Sequence, residues 1–208
     1  ACHEFLNDGG VKELHYPSGG PWGDTNIDKA FIEILSKVLS DVSGNDLYIE
    51  IWKKNPIACM DLLKNLRKNK MEFDDIGDNK FIGIKFPSNF ESEIDQLINI
   101  ENFHDKVFNF KIDEYSECFE YDTDTSIFSM KCIIWKKYLY DPLIDKVIQH
   151  LKTLPTKDEL SDFEYMYLVG GYTMTPYYQK KLIKEFGLNS EYKIDIIIPP
   201  KPILSVVD

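Results

Sequence analysis

The sequence has no apolar run of about 18 residues, the length a membrane-crossing helix requires, so no membrane partner is expected. It has no CxxC pair. The four cysteines, Cys2, Cys59, Cys118 and Cys132, are widely spaced, which argues against a zinc site or a disulfide framework and for a reducing, cytoplasmic setting. His3, His15, His104 and His150 form no HxxxH or HExxH pair, and GxSxG is absent. A histidine-built metal site and a serine-triad hydrolase are therefore not expected. Positive charge is short: 24 Lys and Arg stand against 35 Asp and Glu, a formal net charge of −11. A nucleic-acid partner would need a basic face. A small phosphate ligand would not, because local backbone N–H groups can hold one. The chain opens on Ala1 with no initiator Met and no signal peptide, and so reads as a fragment or a trimmed chain.

What is present is enough for a core. The 208 residues are 43% hydrophobic, which suits one large domain or two small ones. "CHEFL", the turn "NDGG" and "VKELHY" predict a β-hairpin over residues 2–16. "PSGGPWGDTNIDKAF" is a glycine-rich loop feeding a helix. In that helix Ile27, Phe31, Ile34, Leu35 and Val38 share one face, and Asp24, Thr25 or Asn26 can cap it. "SGND" breaks the chain. A second helical region is predicted over residues 46–70, interrupted near Pro56. "KFIGIKFP" alternates as a strand does, "NFESEIDQLINIENF" reads as helix, and "KVFNFKIDEYSECFEYD" as strand and loop. Two helices are predicted over about 128–139 and 142–153, the second with Leu143, Val147 and Leu151 on one face. "TLPTKDELSD" reads as a linker and "KPILSVVD" as a tail. Strand-type segments at both ends flank a middle of different texture. That order predicts an α/β domain built from residues 1–40 and 126–208, with an inserted subdomain at 41–125.

Four stretches carry candidate chemistry. In "YLVGGYTMTPYYQKKLIKEFG", Tyr165 to Val169 reads as a short buried strand ended by Gly170 and Gly171. Pro176 opens a helix whose apolar face is Tyr178, Leu182 and Phe186, with Gly187 as its C-cap. The unit is strand, glycine turn, helix: either a ligand site at a strand's carboxyl end or a plain tight turn. "SGGPWG" packs three glycines ahead of a helix, which suits a phosphate cradle or a flexible surface loop. Lys64, Arg67 and Lys68 share a helix face that either steers an anion or is simply solvated. Asp24 and Asp28 sit beside the glycine loop. They could order Mg²⁺ or water, but Asp24 reads better as a helix cap.

Taken in order, "HYPSGGPWGDTNIDKAF", "YLVGGYTMTPYYQKKLIKEFG" and "IIIPPKPILSVV" resemble the second lobe of the nucleotide-binding domain of the 70-kDa heat-shock chaperones, in the actin-like ATPase superfamily. "GGPWG", "KKYLYDPLIDKVIQHL" and the P-x-P before the final apolar run look most like the divergent 12A/12B branch of that family. The resemblance covers most of the chain and is weakest at 72–125. It implies an α/β, actin-like (ribonuclease-H-like) lobe with an inserted α+β subdomain, binding ATP or ADP with Mg²⁺ held mainly by the other lobe. By the same resemblance, Gly19 and Gly20 match the loop that contacts nucleotide phosphates, and Gly170 and Gly171 match the glycines against which adenosine packs. Tyr172 and Met174 stand where the chaperones have a serine and an arginine around the adenine and ribose, so the resemblance implies an adenosine-binding place for both, with Tyr172 stacking on the adenosine. Arg67 and Lys68 match a basic pair that clamps the nucleoside, while Lys64 falls on a position that is usually acidic. His15 aligns with a chaperone carboxylate. The family's catalytic lysine and its other phosphate motifs are not in this sequence. The resemblance thus implies weak nucleotide binding and no turnover by this chain, within a slow ATPase whose partners are the other lobe, protein clients or co-chaperones. A non-catalytic interaction module that kept the fold without the chemistry is the other reading, favoured by Met174 and His15. A sugar-kinase-like relative is a third.

Overall fold

Turn chemistry sets the first pair of strands. β1 (Cys2–Phe5) and β2 (Val11–His15) run antiparallel, with Phe5 opposite Val11. Gly9 takes φ +85°, which glycine adopts without steric cost, and the Leu6 N–H donates to the Gly10 carbonyl at 2.8 Å. The computed structural model of the chain describes residues 2–98, 100–154 and 163–200. The linker expected at 155–162 and the tail 201–208 lie outside the described residues. Two units divide the chain: Ala1–Asp24 with Pro142–Asp208, and Thr25–Asp141. Helix α1 and residues 126–141 thus group with the middle of the chain, not with its ends.

In the unit Thr25–Asp141, α1 (Thr25–Ser43) buries Ile27, Phe31, Ile34, Leu35 and Val38, the face its spacing predicts. α2 (Leu47–Lys54) and α3 (Pro56–Glu72) meet at the predicted break. Asn55 caps α3 by accepting the Ala58 N–H at 3.3 Å, and Pro56 takes the first turn, where its missing N–H is no loss. β3 (Phe81–Lys85), α4 (Ser88–Leu97), α5 (Ile100–Asn109), β4 (Phe119–Asp122) and β5 (Ile127–Lys131) follow. The three strands form an antiparallel sheet with β5 in the centre, Phe128 facing Ile84 on one side and Tyr121 on the other. The helix expected from residue 128 therefore starts later: Ile127–Lys131 is strand, because the alternation of Phe128 and Met130 finds a pairing partner on both edges. Helix α6 (Cys132–Ile134) follows, then a π-helical stretch, Trp135–Tyr140. Aromatic rings fill this core: Phe73 stacks on Tyr140 at 4.3 Å and on Trp135 at 5.6 Å, and Phe86 meets Phe90 edge-on at 5.2 Å. Asp28 and Lys70 form a nearly buried ion pair at 2.5 Å.

The other unit holds the hairpin, α7 (Asp141–Lys152, from Pro142 on), β6 (Tyr165–Tyr167), α8 (Pro176–Phe186) and β7 (Asp195–Ile197). β6 and β7 pair in parallel, Met166 beside Ile196, with α8 between them in sequence. α8 buries Tyr178, Leu182 and Phe186 as predicted. The strand before Gly170 is not fully buried: Tyr165, Tyr167 and Val169 are exposed while Leu168 is buried. It is a half-buried strand of period 2 rather than a core strand. Cys2 and Leu154 form a small apolar cluster with Leu14, Leu151 and Phe163.

Candidate functional site

Three groups of residues carry the candidate chemistry, and each is built locally. The first is the turn after β6. Leu168 still belongs to the ladder, donating its N–H to the Ile197 carbonyl at 2.9 Å. Gly170 then takes φ +101°, a conformation side chains resist, and nothing lies within 4 Å of where its Cβ would stand. Gly171 is right-handed and opens a single 3₁₀ turn, Tyr172–Met174. That turn is tied down from within. The Thr173 hydroxyl donates to the Gly170 carbonyl at 2.7 Å, the Met174 N–H donates to the Gly171 carbonyl at 3.3 Å, and the Gln179 amide donates to the Thr173 carbonyl at 2.7 Å. The backbone beside Gly170 is therefore tied by hydrogen bonds from within the turn and open to approach. Tyr172 is committed to the fold: its ring packs on Tyr178, centroids 4.5 Å apart, and its hydroxyl is buried. Met174 is half-buried at the end of the turn.

The second group is the loop after β2. Ser18, Gly19 and Gly20 are exposed, and Gly19 has φ +151°. The Trp22 N–H donates to the Gly20 carbonyl at 2.8 Å, and the indole folds back so closely that a Gly20 Cβ would stand 2.5 Å from it. Gly20 is needed for that contact whatever the loop binds. His150, from the last turns of α7, reaches the same loop: its Nε2 lies 3.2 Å from the Ser18 hydroxyl, and its ring packs on Trp22 with centroids 5.3 Å apart. His15 is half-buried, with Nδ1 2.6 Å from the Tyr16 carbonyl oxygen.

The third group lies on α3, in the other unit. Arg67 and Lys68 are exposed there; Arg67 is the one arginine in the sequence. Lys64 is engaged by Asp61 at 2.7 Å. That hydrogen bond, with a second from Asn89, holds the Asp61 carboxyl below its usual range. Asp28, considered above for Mg²⁺, is committed to Lys70. Among the described residues no group of three or more His, Cys, Asp or Glu is placed to hold a metal ion. A hollow of about 350 Å³ in the same unit is lined by His104, Phe108, Glu120, Tyr121, Asp122 and Thr123. No described helix is long and apolar enough to cross a membrane.

Sequence spacing brings together Gly170, Gly171, Tyr172 and Met174, and separately Gly19 and Gly20. It does not reveal His150 beside Ser18 or Lys70 beside Asp28, because those partners lie 132 and 42 positions apart and no local pattern links them.

These features define a mixed α/β chain with small sheets, a strand–glycine–helix unit and a glycine-rich loop, similar to 70-kDa heat-shock proteins. The similarity falls in the divergent 12A/12B branch. The chain is 28% identical over 194 residues to heat shock 70 kDa protein 12A of Mus musculus, covering 93% of this chain and 26% of that protein. Against heat shock 70 kDa protein 12A of Homo sapiens it is 27% identical over 182 residues, 88% of this chain and 25% of that protein. Against heat shock 70 kDa protein 12B of Homo sapiens it is 23% identical over 197 residues, 92% of this chain and 26% of that protein. The chain spans about a quarter of the length of these curated relatives. No protein-family model matches it, and no solved structure does.

Proposed function

We propose that this chain supplies the adenosine-binding and phosphate-contacting half of an ATP or ADP site in a divergent heat-shock-70-like ATPase with an actin-like fold. The observation that carries the reading is the turn at Gly170: a strand ends in a left-handed glycine with no described atom within 4 Å of where its Cβ would stand, and a helix follows. A flat purine ribonucleoside can lie against main chain only where no side chain intervenes. Gly170 and Gly171 supply that surface, and the exposed backbone of Gly19 and Gly20 supplies N–H donors for phosphate oxygens. Arg67 and Lys68, which the family resemblance assigns to the nucleoside, are exposed on α3, and Lys64 is engaged by Asp61. Mg²⁺ would be held mainly by the other lobe, as the family resemblance implies. This chain's share of the work is holding and orienting. Hydrolysis would need groups from elsewhere in the parent protein, and this chain alone would not turn ATP over. The setting is cytoplasmic, and client proteins or co-chaperones are the further partners.

The interaction-module reading has its own support. Tyr172 is spent on Tyr178 and Gly20 on Trp22, so both motifs have uses within the fold.

Calorimetric titration with Mg-ADP separates the two. The nucleotide reading expects saturable binding that weakens at least about tenfold in Gly171→Leu, where a side chain would fill the adenosine surface. Equal affinity in the variant would overturn the site. Absence of binding both by this chain and by its full-length parent would favour the interaction module.

A further inference from the structure

One side chain from a helix far away in sequence reaches the glycine loop. His150 touches the loop on both sides of Gly19 and Gly20. Its Nε2 lies 3.2 Å from the Ser18 hydroxyl, and its ring packs on Trp22 at 5.3 Å, the two planes inclined by 60°. Trp22 closes the loop on its own side through its N–H to the Gly20 carbonyl at 2.8 Å. The two residues between these contacts have no side chains, and Gly19 adopts φ +151°. Glycine backbone is the most costly to order. Unheld, this segment would sample many shapes and present its N–H groups in no fixed direction.

We propose that His150 is the positioning residue of the glycine loop: its imidazole clamps Ser18 and Trp22, so that the Gly19–Gly20 backbone is preset for an anionic, phosphate-bearing ligand. Either neutral tautomer serves. Nε2–H can donate to the Ser18 oxygen, or bare Nε2 can accept from the Ser18 hydroxyl. The identity of the ligand rests on the nucleotide reading above; the preset shape of the loop does not. Preorganisation acts on affinity by removing an ordering cost, so the benefit falls on the phosphate end of a ligand and not on its nucleoside.

The experiment follows Trp22 in the free chain and binding in parallel. Trp22→Phe identifies the Trp22 share of the emission by difference. In His150→Ala, with unchanged far-ultraviolet circular dichroism, that share should move to longer wavelength and become more open to iodide quenching. In His150→Gln, whose amide can still reach Ser18, part of the wild-type signal should return. Mg-ADP affinity should fall about fivefold in His150→Ala, the worth of roughly one hydrogen bond, while adenosine affinity holds. An unaltered Trp22 signal in His150→Ala overturns the proposal, as does an equal loss for ADP and adenosine. If the wild-type chain binds no ADP, the affinity comparison moves to the full-length parent, and the Trp22 signal alone decides whether His150 shapes the loop.

Discussion

Cys59 sits on α3 with no exposed surface, and burial pushes its thiol up to about 11; the Tyr48 hydroxyl beside it works in the opposite direction, and the charge of Glu93 adds to the rise. The sign of the consequence follows from linkage. An unfolded chain releases this proton near the ordinary thiol value, while the folded chain keeps it. Stability from this group is whole below the ordinary value and declines as pH climbs to about 11. We expect the urea midpoint to drop between pH 9 and 11, by roughly 1 kcal/mol of stability per pH unit from this thiol at most. Cys59→Ala should be less stable at pH 7 and show a shallower decline. An identical slope in the variant would show that other groups govern the alkaline limb. At this scale the sequence was legible where a residue acts through its own backbone, as Gly170 does, and not where it acts through a distant partner. Lys64, Arg67 and Lys68 read as one basic face, and all three are exposed, yet Asp61 engages the first. Asp61 lies three positions before Lys64, so that pairing was within reach of the helix spacing.

Helix α8 shows how an element ends. Gly187 closes it, as its position predicts, but its φ is −63°, not left-handed. The reason for glycine there is proximity: its N–H donates to the Ile183 carbonyl at 2.9 Å, and a Cβ would press on that same carbonyl. We therefore expect Gly187→Ala to destabilise the chain by about 1–2 kcal/mol, the usual cost of overpacking, measured by urea unfolding at neutral pH. A neutral substitution would mean that the helix end relaxes freely. Most elements could be read from spacing and punctuation: the hairpin from Asn7–Gly10, the α2–α3 break from Pro56, and α1 from its apolar face. β5 could not. "IFSMKCIIW" runs from strand to helix without a glycine or proline, so nothing local marks the change; two pairing edges decide it. The half-buried state of β6 was hidden for a similar reason, since a short apolar run looks the same whether one face or both are covered.

At the scale of the molecule, the unit Thr25–Asp141 is one continuous stretch with its own three-stranded sheet and aromatic core, and the Asp28–Lys70 pair lies within it. We expect residues 25–141 expressed alone to fold, with a single cooperative urea transition and near-ultraviolet dichroism from Trp135 stacked on Phe73. A non-cooperative transition would show that this core needs the rest of the chain. The companion unit is assembled from two separated stretches, and its most telling contact, His150 on the glycine loop, joins them. A mixed α/β chain was therefore legible from the order of segments, whereas the grouping of α1 and residues 126–141 was not, because it depends on which core each helix face meets. The cysteines have a practical meaning at this scale. All four are free and buried, so thiol-directed reagents find little to react with on the native surface. One cysteine introduced at an exposed position, such as Gly23 in the glycine loop or Tyr165 on β6, would then carry a spin or fluorescent label almost by itself, and pairs of such labels would serve as a ruler inside the folded chain without first stripping its native thiols.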